Sequence, residues 1–226
     1  MTDNRPDCSR CPFEIDDRLC TAEGGKAPGF CPTATKQPLT DTSLAEFEKP
    51  DVRMFARQAS IQESEGYYDK DKGASHVKPL KPRILETVEF AKKMNYRVLG
   101  LVFCVGLRKE AETVGRLIRS NGFELVSCCC KAGGVPKEFL GLDEDQKILS
   151  GRYETMCNPI LQAMVLNDEK TQLNILMGLC VGHDSLFLKY SETPCTVLAV
   201  KDRVMGHNPL AAVYTVDSYY KALKQP

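Results

Sequence analysis

The sequence predicts an α/β fold: a Rossmann-like, mostly parallel sheet with flanking helices, preceded by a small N-terminal cysteine-rich metal module. Two observations indicate this fold. Hydrophobic β-type runs alternate with helical runs in the last part of the chain, and the first 38 residues carry spaced cysteines but few large apolar side chains. We therefore expect a four-cysteine metal-binding module at 1–38, a helical connector that packs on the sheet at 39–95, and the α/β domain at 96–226.

The connector is expected to hold a broken helical run, a loop and a further helix. Apolar residues recur at roughly helical spacing over 39–68, and Pro50 must break or kink that run. Residues 69–82 are rich in Lys, Asp and Gly, a composition that predicts a solvated loop. The apolar pattern that follows predicts a helix over 82–94.

Strands and helices alternate regularly after the connector, which favours a parallel sheet with right-handed crossovers. The predicted strands are 97–104, 123–130, 173–180 and 196–200. The predicted helices are 108–121, 143–150, 159–167 and 183–190.

Spaced cysteines mark the N-terminal segment as a candidate metal site. A pair separated by two residues can bind one centre from a single turn, as in zinc ribbons and iron–sulfur loops. The segment has too few apolar residues to fix its loops by packing, so ligand bonds would supply the missing stability. Its later spacings match neither a bacterial ferredoxin nor a zinc ribbon, and iron–sulfur and zinc both stay open. The expected metal ligands are Cys8, Cys11, Cys20 and Cys31.

A second group of cysteines lies at predicted element ends. Three predicted strands each end in a cysteine followed by a glycine-bearing turn, and a fourth cysteine precedes the helix at 159–167. The carboxyl ends of parallel strands meet at one sheet edge, so these thiols are expected to face one another. The alternative is that some are core thiols and the turns bind a small anion through backbone amides. The expected cofactor-binding residues are Cys104, Cys130, Cys157 and Cys180.

Residues near these turns are candidates for catalysis. His183 and His207 could be ligands or proton carriers near neutral pH, although a loop histidine is more often structural. A further set of charged residues could bind a substrate or counter the charge of a cluster, with ion pairing among them as the alternative: Lys131, Asp184, Lys201, Asp202 and Arg203. The remaining sheet cysteines are expected to be core residues: Cys128, Cys129 and Cys195.

Composition excludes several classes of protein. The chain has 30 basic and 30 acidic residues, so no global charge points to nucleic acid or to a membrane surface. No apolar run reaches membrane-helix length, and the N-terminus lacks the apolar core of a secretory signal. Eleven cysteines in such a chain suit metal ligation or thiol chemistry better than disulfides. We expect a cytoplasmic protein whose partners are metal ions, a small-molecule substrate and an electron-transfer partner.

Several motifs occur along the chain: the early Cys-x-x-Cys segment, Cys-Lys-x-Gly-Gly at 130–134, Met-Cys-Asn-Pro-Ile at 156–160, Leu-Asn at 166–167, and the runs at 178–187 and 201–209. In these motifs the sequence resembles a little-characterised prokaryotic cysteine-rich family, known as a domain of unknown function or as metal-binding protein. The resemblance implies metal binding and favours Cys130 over Cys128 and Cys129, and it implies no reaction.

Residues and resemblance together predict a metal-binding, iron–sulfur protein with two cysteine-ligated sites, acting as a redox enzyme on a small molecule. One alternative is a zinc-binding protein with a structural, sensing or storage role. Another is a cysteine-nucleophile enzyme, in which Cys130 or Cys180 attacks an electrophile and His183 acts as base.

Overall fold

The computed structural model describes residues 5–73 and 76–224, and the chain divides into two compact units. The N-terminal unit ends at Ser64 and the C-terminal unit begins at Glu65. The division expected from the sequence, into a metal-binding module, a helical connector and an α/β domain, remains a prediction.

The N-terminal unit consists of turns followed by helices. Short 3-10 helices at Cys8–Arg10 and Ile15–Asp17 are followed by α1 (Pro32–Thr35), α2 (Gln37–Phe47) and α3 (Pro50–Glu65). The predicted break is confirmed, because α3 begins at its proline, a residue that the first turn of a helix tolerates and its interior does not. No apolar side chain among the described residues of this unit is buried.

The C-terminal unit is built on a parallel sheet of four strands with helices beside it, which confirms the predicted α/β class. A separate two-stranded antiparallel ladder pairs β1 (Tyr67–Tyr68) with β2 (Lys78–Pro79). The sheet strands are β3 (Val98–Phe103), β4 (Glu124–Cys129), β5 (Leu173–Leu179) and β6 (Cys195–Val200). The helices are α4 (Arg83–Lys93), α5 (Arg108–Ser120), α6 (Pro159–Asp168), α7 (His183–Tyr190) and α8 (Leu210–Tyr214).

The strand order β4-β3-β5-β6 places β3 and β5 in the middle of the sheet. Their side chains alternate between two cores. Leu101 and Ile175 pack in a cluster with residues of α4 and α5, whereas Val102 and Leu176 pack in a cluster with residues of α6 and α7. A parallel sheet covered on both faces explains why these strands are almost continuously hydrophobic. No helix in the described part of the chain is long and apolar enough to cross a membrane.

One buried polar network interrupts the apolar core. Asn174 on β5 is fully buried; its carbonyl oxygen accepts from the Thr171 hydroxyl at 2.7 Å, and its amide donates to the Ser191 hydroxyl at 2.9 Å. Gly100 on β3 makes room for it, since a Cβ at that position would lie 2.1 Å from the Asn174 Oδ1. The network therefore depends on a glycine in the neighbouring strand.

The helix predicted at 143–150 is wrong. The structure contains only a 3-10 turn at Glu144–Gln146, and the backbone then continues irregularly. The backbone N–H groups of Ile148 and Leu149 donate to the Glu154 carboxylate, at 2.9 and 3.1 Å, instead of to helical carbonyls. A side chain six residues further along the chain thus replaces the helical hydrogen bonds.

Candidate functional site

Three of the candidate cysteines directly follow strands of the sheet. Cys104 follows β3, and its backbone N–H donates to the Met177 carbonyl at 3.2 Å. Cys130 follows β4, and its N–H donates to the Phe103 carbonyl at 2.9 Å. Cys180 follows β5. Because the strands are parallel, these residues share one edge of the sheet.

Cys157 reaches the same edge from the start of α6. Asn158 caps that helix, with its side-chain oxygen accepting from the Leu161 N–H at 3.0 Å. The backbone N–H of Asn158 donates to the Cys130 carbonyl at 2.8 Å. The helix start is therefore tied directly to the cysteine that follows β4.

The Cys130 thiol contacts two of the other thiols. The Cys130 thiol is within hydrogen-bond reach of the sulfurs of both Cys104 and Cys157. Hydrogen bonding from Cys130 lowers the pKa of Cys104 to about 5 and that of Cys157 to about 5. The same two contacts, with burial, raise the pKa of Cys130. One protonated thiol thus lies between two thiolates, since a hydrogen bond to the charged form favours it.

All four candidate cysteines line one cavity of about 440 Å³ at this edge. The structure thus brings together the residues that the sequence predicted would converge. Backbone groups also face the sulfurs, because the Val105 N–H donates to Cys130 Sγ at 3.3 Å. The wall of the cavity further includes Lys131, Ile148, Leu149, Tyr153, Lys201 and Arg203.

Cationic side chains approach the sulfurs from the segment after β6. The charge of Lys201 is one of the influences that lower the pKa of Cys104, and the Arg203 guanidinium donates to Cys180 Sγ at 3.2 Å. Gly106 lies beside both groups, since a Cβ there would be 3.7 Å from the Lys201 ammonium and 3.9 Å from Cys104 Sγ. These cations contact thiols, and the alternative expectation of ion pairs with neighbouring carboxylates finds no support in the described part of the chain.

The catalytic candidates Lys131 and His183 both lie near Cys157. Lys131 lines the cavity, and its ammonium donates to the Thr155 carbonyl. His183 begins α7 with its backbone N–H bonded to the Cys180 carbonyl at 2.9 Å. The charges of both Lys131 and His183 help to lower the pKa of Cys157, after the larger effect of its hydrogen bond with a neighbouring thiol.

His207 occupies a turn instead of the cavity wall. Its φ is 67°, its Nδ1 accepts from the Asp202 N–H at 3.1 Å, and its own N–H donates to the Asp202 carbonyl at 2.9 Å. The Asp202 carboxylate in turn accepts from the backbone N–H groups of Val204 and Met205. This arrangement gives His207 a structural role in shaping the segment that carries the cations.

A glutamine missed by the sequence analysis ties the cysteine-bearing elements together. Gln162 on α6 is fully buried, and its amide donates to the carbonyls of Cys128 at 2.7 Å and Phe103 at 3.4 Å. It thus joins the ends of β3 and β4 to the helix that follows Cys157. The sequence signal that could have revealed this role was a polar residue within the otherwise apolar start of α6, because a buried polar side chain needs hydrogen-bond partners.

Cysteine thiolates are the ligands of both zinc sites and iron–sulfur clusters. Within the described residues, no three His, Cys, Asp or Glu side chains are arranged to hold a single metal ion. A structural zinc ion requires all its sulfurs about 2.3 Å from one point. In an iron–sulfur cluster the cysteines bind different iron atoms and so stand further apart. The sulfurs of Cys104 and Cys157 would have to move away from Cys130 to bind a cluster, and the cavity of about 440 Å³ that they line leaves room for this.

The N-terminal cysteines lie in turns. Cys8 and Cys20 are exposed, and Cys11 and Cys31 are half-buried. Hydrogen bonding from the Ala34 backbone, at the start of α1, lowers the pKa of the Cys31 thiol. All are free thiols.

The cysteines expected to be core residues behave in two ways. Cys128 is buried in the cluster with α6 and α7 residues, as predicted. Cys195 is half-buried, with its sulfur 3.3 Å from the Ser191 hydroxyl and 3.2 Å from the Thr193 carbonyl. Cys129 is half-buried at the end of β4. None of the three lines the cavity.

Comparison with known proteins identifies the family. The model of a family described as protein of unknown function (DUF1847) matches residues 31–198. The chain belongs to this family. It is also 40% identical, over 185 residues, to the uncharacterized protein MJ0455 of Methanocaldococcus jannaschii, with 82% of this chain and 87% of that protein covered. No solved structure matches the chain.

The family match covers the two groups of cysteines unequally. Its residues, 31–198, contain all four cysteines of the cavity and Cys31, whereas Cys8, Cys11 and Cys20 lie before it. The cavity cysteines are thus part of the region by which the family is recognised.

Proposed function

We propose that this protein is an iron–sulfur redox protein whose cluster is bound by the sheet-edge cysteines, Cys104, Cys130, Cys157 and Cys180. The observation that carries the proposal is that thiols from four separate elements line one cavity. Independent structural thiols would have no reason to meet there, because each element could bury a cysteine elsewhere in the core.

The surroundings of the thiols support an anionic group. Lys131, Lys201 and Arg203 face the cavity, and their charge offsets the negative charge of several thiolates. The Val105 N–H donates to a cysteine sulfur, and hydrogen bonds of this kind tune the reduction potential of a bound cluster. A cluster would supply one-electron transfer at this edge of the sheet.

The N-terminal cysteines are proposed to hold a second metal centre, either iron–sulfur or zinc. The support is that their unit has no buried apolar side chain among its described residues, yet folds into defined turns. Ligand bonds from Cys8, Cys11, Cys20 and Cys31 would stabilise such turns. With a redox-active second centre, the protein would pass electrons from a partner protein to a small substrate.

A reducing location suits this chemistry. All eleven cysteines are free in the structure, as expected where thiols are kept reduced. The proposal therefore locates the protein in the cytoplasm.

Anaerobic purification followed by metal and sulfide analysis tests the proposal. We expect brown protein with visible charge-transfer absorption and matching amounts of iron and acid-labile sulfide. Replacing a cavity thiol, for example Cys104→Ser or Cys180→Ser, should remove the absorption of that cluster. Cys195→Ser is the matched control, since that thiol is also half-buried but does not line the cavity.

Two results would contradict the cluster. Colourless protein with stoichiometric zinc would favour the zinc-binding alternative. Metal-free protein that takes up neither zinc nor iron with sulfide would exclude both metal-binding candidates.

The thiol contacts support a second candidate, a cysteine enzyme. Cys130 can give a proton to Cys104 or Cys157, and His183 lies near enough to influence Cys157. This arrangement points to Cys104 or Cys157 as nucleophile, in place of the Cys130 or Cys180 expected from the sequence. Rapid modification of one of these thiols by an electrophile, in protein that binds no metal, would favour this candidate.

A further inference from the structure

We infer that the cysteine cavity also binds a small organic carboxylate, with Arg203 holding its anionic group. The inference deepens the proposed function by naming the class of substrate, and it rests on that function for the view that the ligand is a substrate. It is carried by three features of the cavity: its surplus of positive charge, the unused donors of one arginine and an apolar wall.

The charge surplus is the first feature. Lys131, Lys201 and Arg203 line the cavity, and among the described residues that line it Glu154 is the one carboxylate. That carboxylate is already satisfied, because it pairs with Lys137 at 2.7 Å and accepts from two backbone N–H groups. Of the ion pairs in the described part of the chain, none involves the three cavity cations.

In the turn after β6, backbone hydrogen bonds occupy the acidic side chain that lies between two of the cations in the sequence. Asp202 lies between Lys201 and Arg203 in the sequence, but its carboxylate accepts from the N–H groups of Val204 and Met205, at 2.9 and 2.8 Å. Its charge therefore stabilises the turn and does not pair with its neighbours. The backbone N–H of Lys201 donates to the Leu179 carbonyl at 3.1 Å, which anchors the segment to the end of β5.

Arg203 has donors to spare. One guanidinium nitrogen donates to Cys180 Sγ at 3.2 Å. A guanidinium has five N–H donors in a planar fork that matches the two oxygens of a carboxylate. Lys131 and Lys201 lie beside the Cys157 and Cys104 thiols, so the arginine is the cation best able to bind an incoming anion.

The apolar wall indicates that the anion carries an organic group. Ile148 is 76% exposed and Tyr153 67% exposed, yet both line the cavity, together with Leu149. Large apolar side chains that remain exposed around a concave site are typical of ligand-binding pockets. An inorganic anion would use the cations and leave this wall uncovered.

Calorimetric titration of the full-length, anaerobically purified chain tests the inference with three probes. Benzoate has a carboxylate and an apolar ring, benzamide has the same shape without the charge, and inorganic phosphate has charge without the ring. We expect benzoate to bind at least about tenfold more tightly than benzamide, because a charge-assisted pair with arginine is lost in the neutral amide. Phosphate should also bind more weakly than benzoate.

Variants assign the binding to the named residues. Arg203→Gln should weaken benzoate binding about tenfold, and Arg203→Lys should restore only part of it because the planar fork is missing. Tyr153→Ser should weaken benzoate and leave phosphate unchanged. Arg116→Gln, an exposed position on α5 outside the cavity, is the matched control and should bind as the parent does.

The outcomes separate this inference from the proposed function. Equal binding of benzoate and benzamide, or equal binding by Arg203→Gln and Arg116→Gln, would overturn the inference and mean that the cations only balance the charge of the cysteines. Iron and sulfide are measured on the same samples. Benzoate binding to protein without a cluster would support the carboxylate site and contradict the proposed cluster. Protein that contains a cluster but does not bind benzoate would overturn only the inference of a carboxylate site.

Discussion

Three of the cavity cysteines follow buried strands, whereas the cysteines of the N-terminal unit lie in turns, and the described residues of that unit bury no apolar side chain. Leu101, Val102 and Ile175, in the strands that lead to the cavity, are 1% exposed or less. The N-terminal turns are held instead by backbone hydrogen bonds, such as Lys26 N–H to the Asp17 carbonyl at 2.7 Å, and by the Arg10 guanidinium over the Phe30 ring. The sheet can thus position its thiols before any ligand arrives, while the turns depend on these contacts and, under the proposed function, on ligand bonds as well.

Removal of metal should have the largest effect, and it should affect the two units differently. Ligand bonds in small metal modules contribute on the order of 10 kcal/mol to folding, so a chelator should unfold the N-terminal turns and leave the sheet intact. Hydrogen–deuterium exchange would show lost protection around Cys8 and Cys31, with the amides of β5 still protected. Turns that stay protected in verified metal-free protein would mean that their hydrogen bonds alone suffice.

A substitution in the sheet should have the next largest effect. In Gly100→Ala the new Cβ would lie 2.1 Å from Asn174 Oδ1 and 2.4 Å from Leu166 Cδ2, so the free energy of unfolding should fall by about 3 kcal/mol. Urea titration measures it. Gly29→Ala, where a Cβ meets nothing within 4 Å, is the control in the N-terminal unit and should change little. Equal losses in the two variants would show that close packing does not distinguish the two units.

Loss of the buried glutamine should lower the free energy of unfolding by a somewhat smaller amount. Gln162→Leu leaves the Phe103 and Cys128 carbonyls without their side-chain donor, which should lower the free energy of unfolding by about 2 kcal/mol. Thermal unfolding measures this change. Gln37→Leu on α2 is the control and should be near neutral, because the Gln37 side chain is exposed and its amide donates to the Asp41 carboxylate at 2.9 Å. A neutral Gln162→Leu would mean that the strand ends hold their positions without this residue.

The smallest expected effect is a difference between cysteines in how their alkylation rates depend on pH. In metal-free protein, Cys104 and Cys157, with a pKa of about 5, should alkylate at a constant rate above about pH 6 and more slowly as pH falls through 5. Burial raises the pKa of Cys195, so its rate should still increase above pH 9. At pH 7 the two cavity thiols should react about tenfold faster, since lower basicity offsets part of their larger thiolate fraction. Mass spectrometry of each cysteine measures the rates, and one shared pH profile would contradict the contacts with Cys130.

Much of the fold was predictable because it follows from local patterns. Alternating apolar runs indicated all four sheet strands, and Pro50 marked a helix boundary, since both depend on neighbouring residues. The helix predicted at 143–150 was wrong because the Glu154 carboxylate takes backbone N–H groups that no local pattern assigns to it. The domain divisions and the metal ligands are still predictions.

Local pattern already located the candidate cysteines, because a thiol after a parallel strand must stand at the carboxyl edge whatever the strand order. Which sulfurs touch depends on that order: β4 lies beside β3, so Cys130 is next to Cys104, and the Asn158 N–H bond to the Cys130 carbonyl brings in Cys157. Contacts of Arg203 and Gln162 with this edge likewise join residues far apart in the chain. Such contacts arise from packing between elements, and no spacing along the sequence records them.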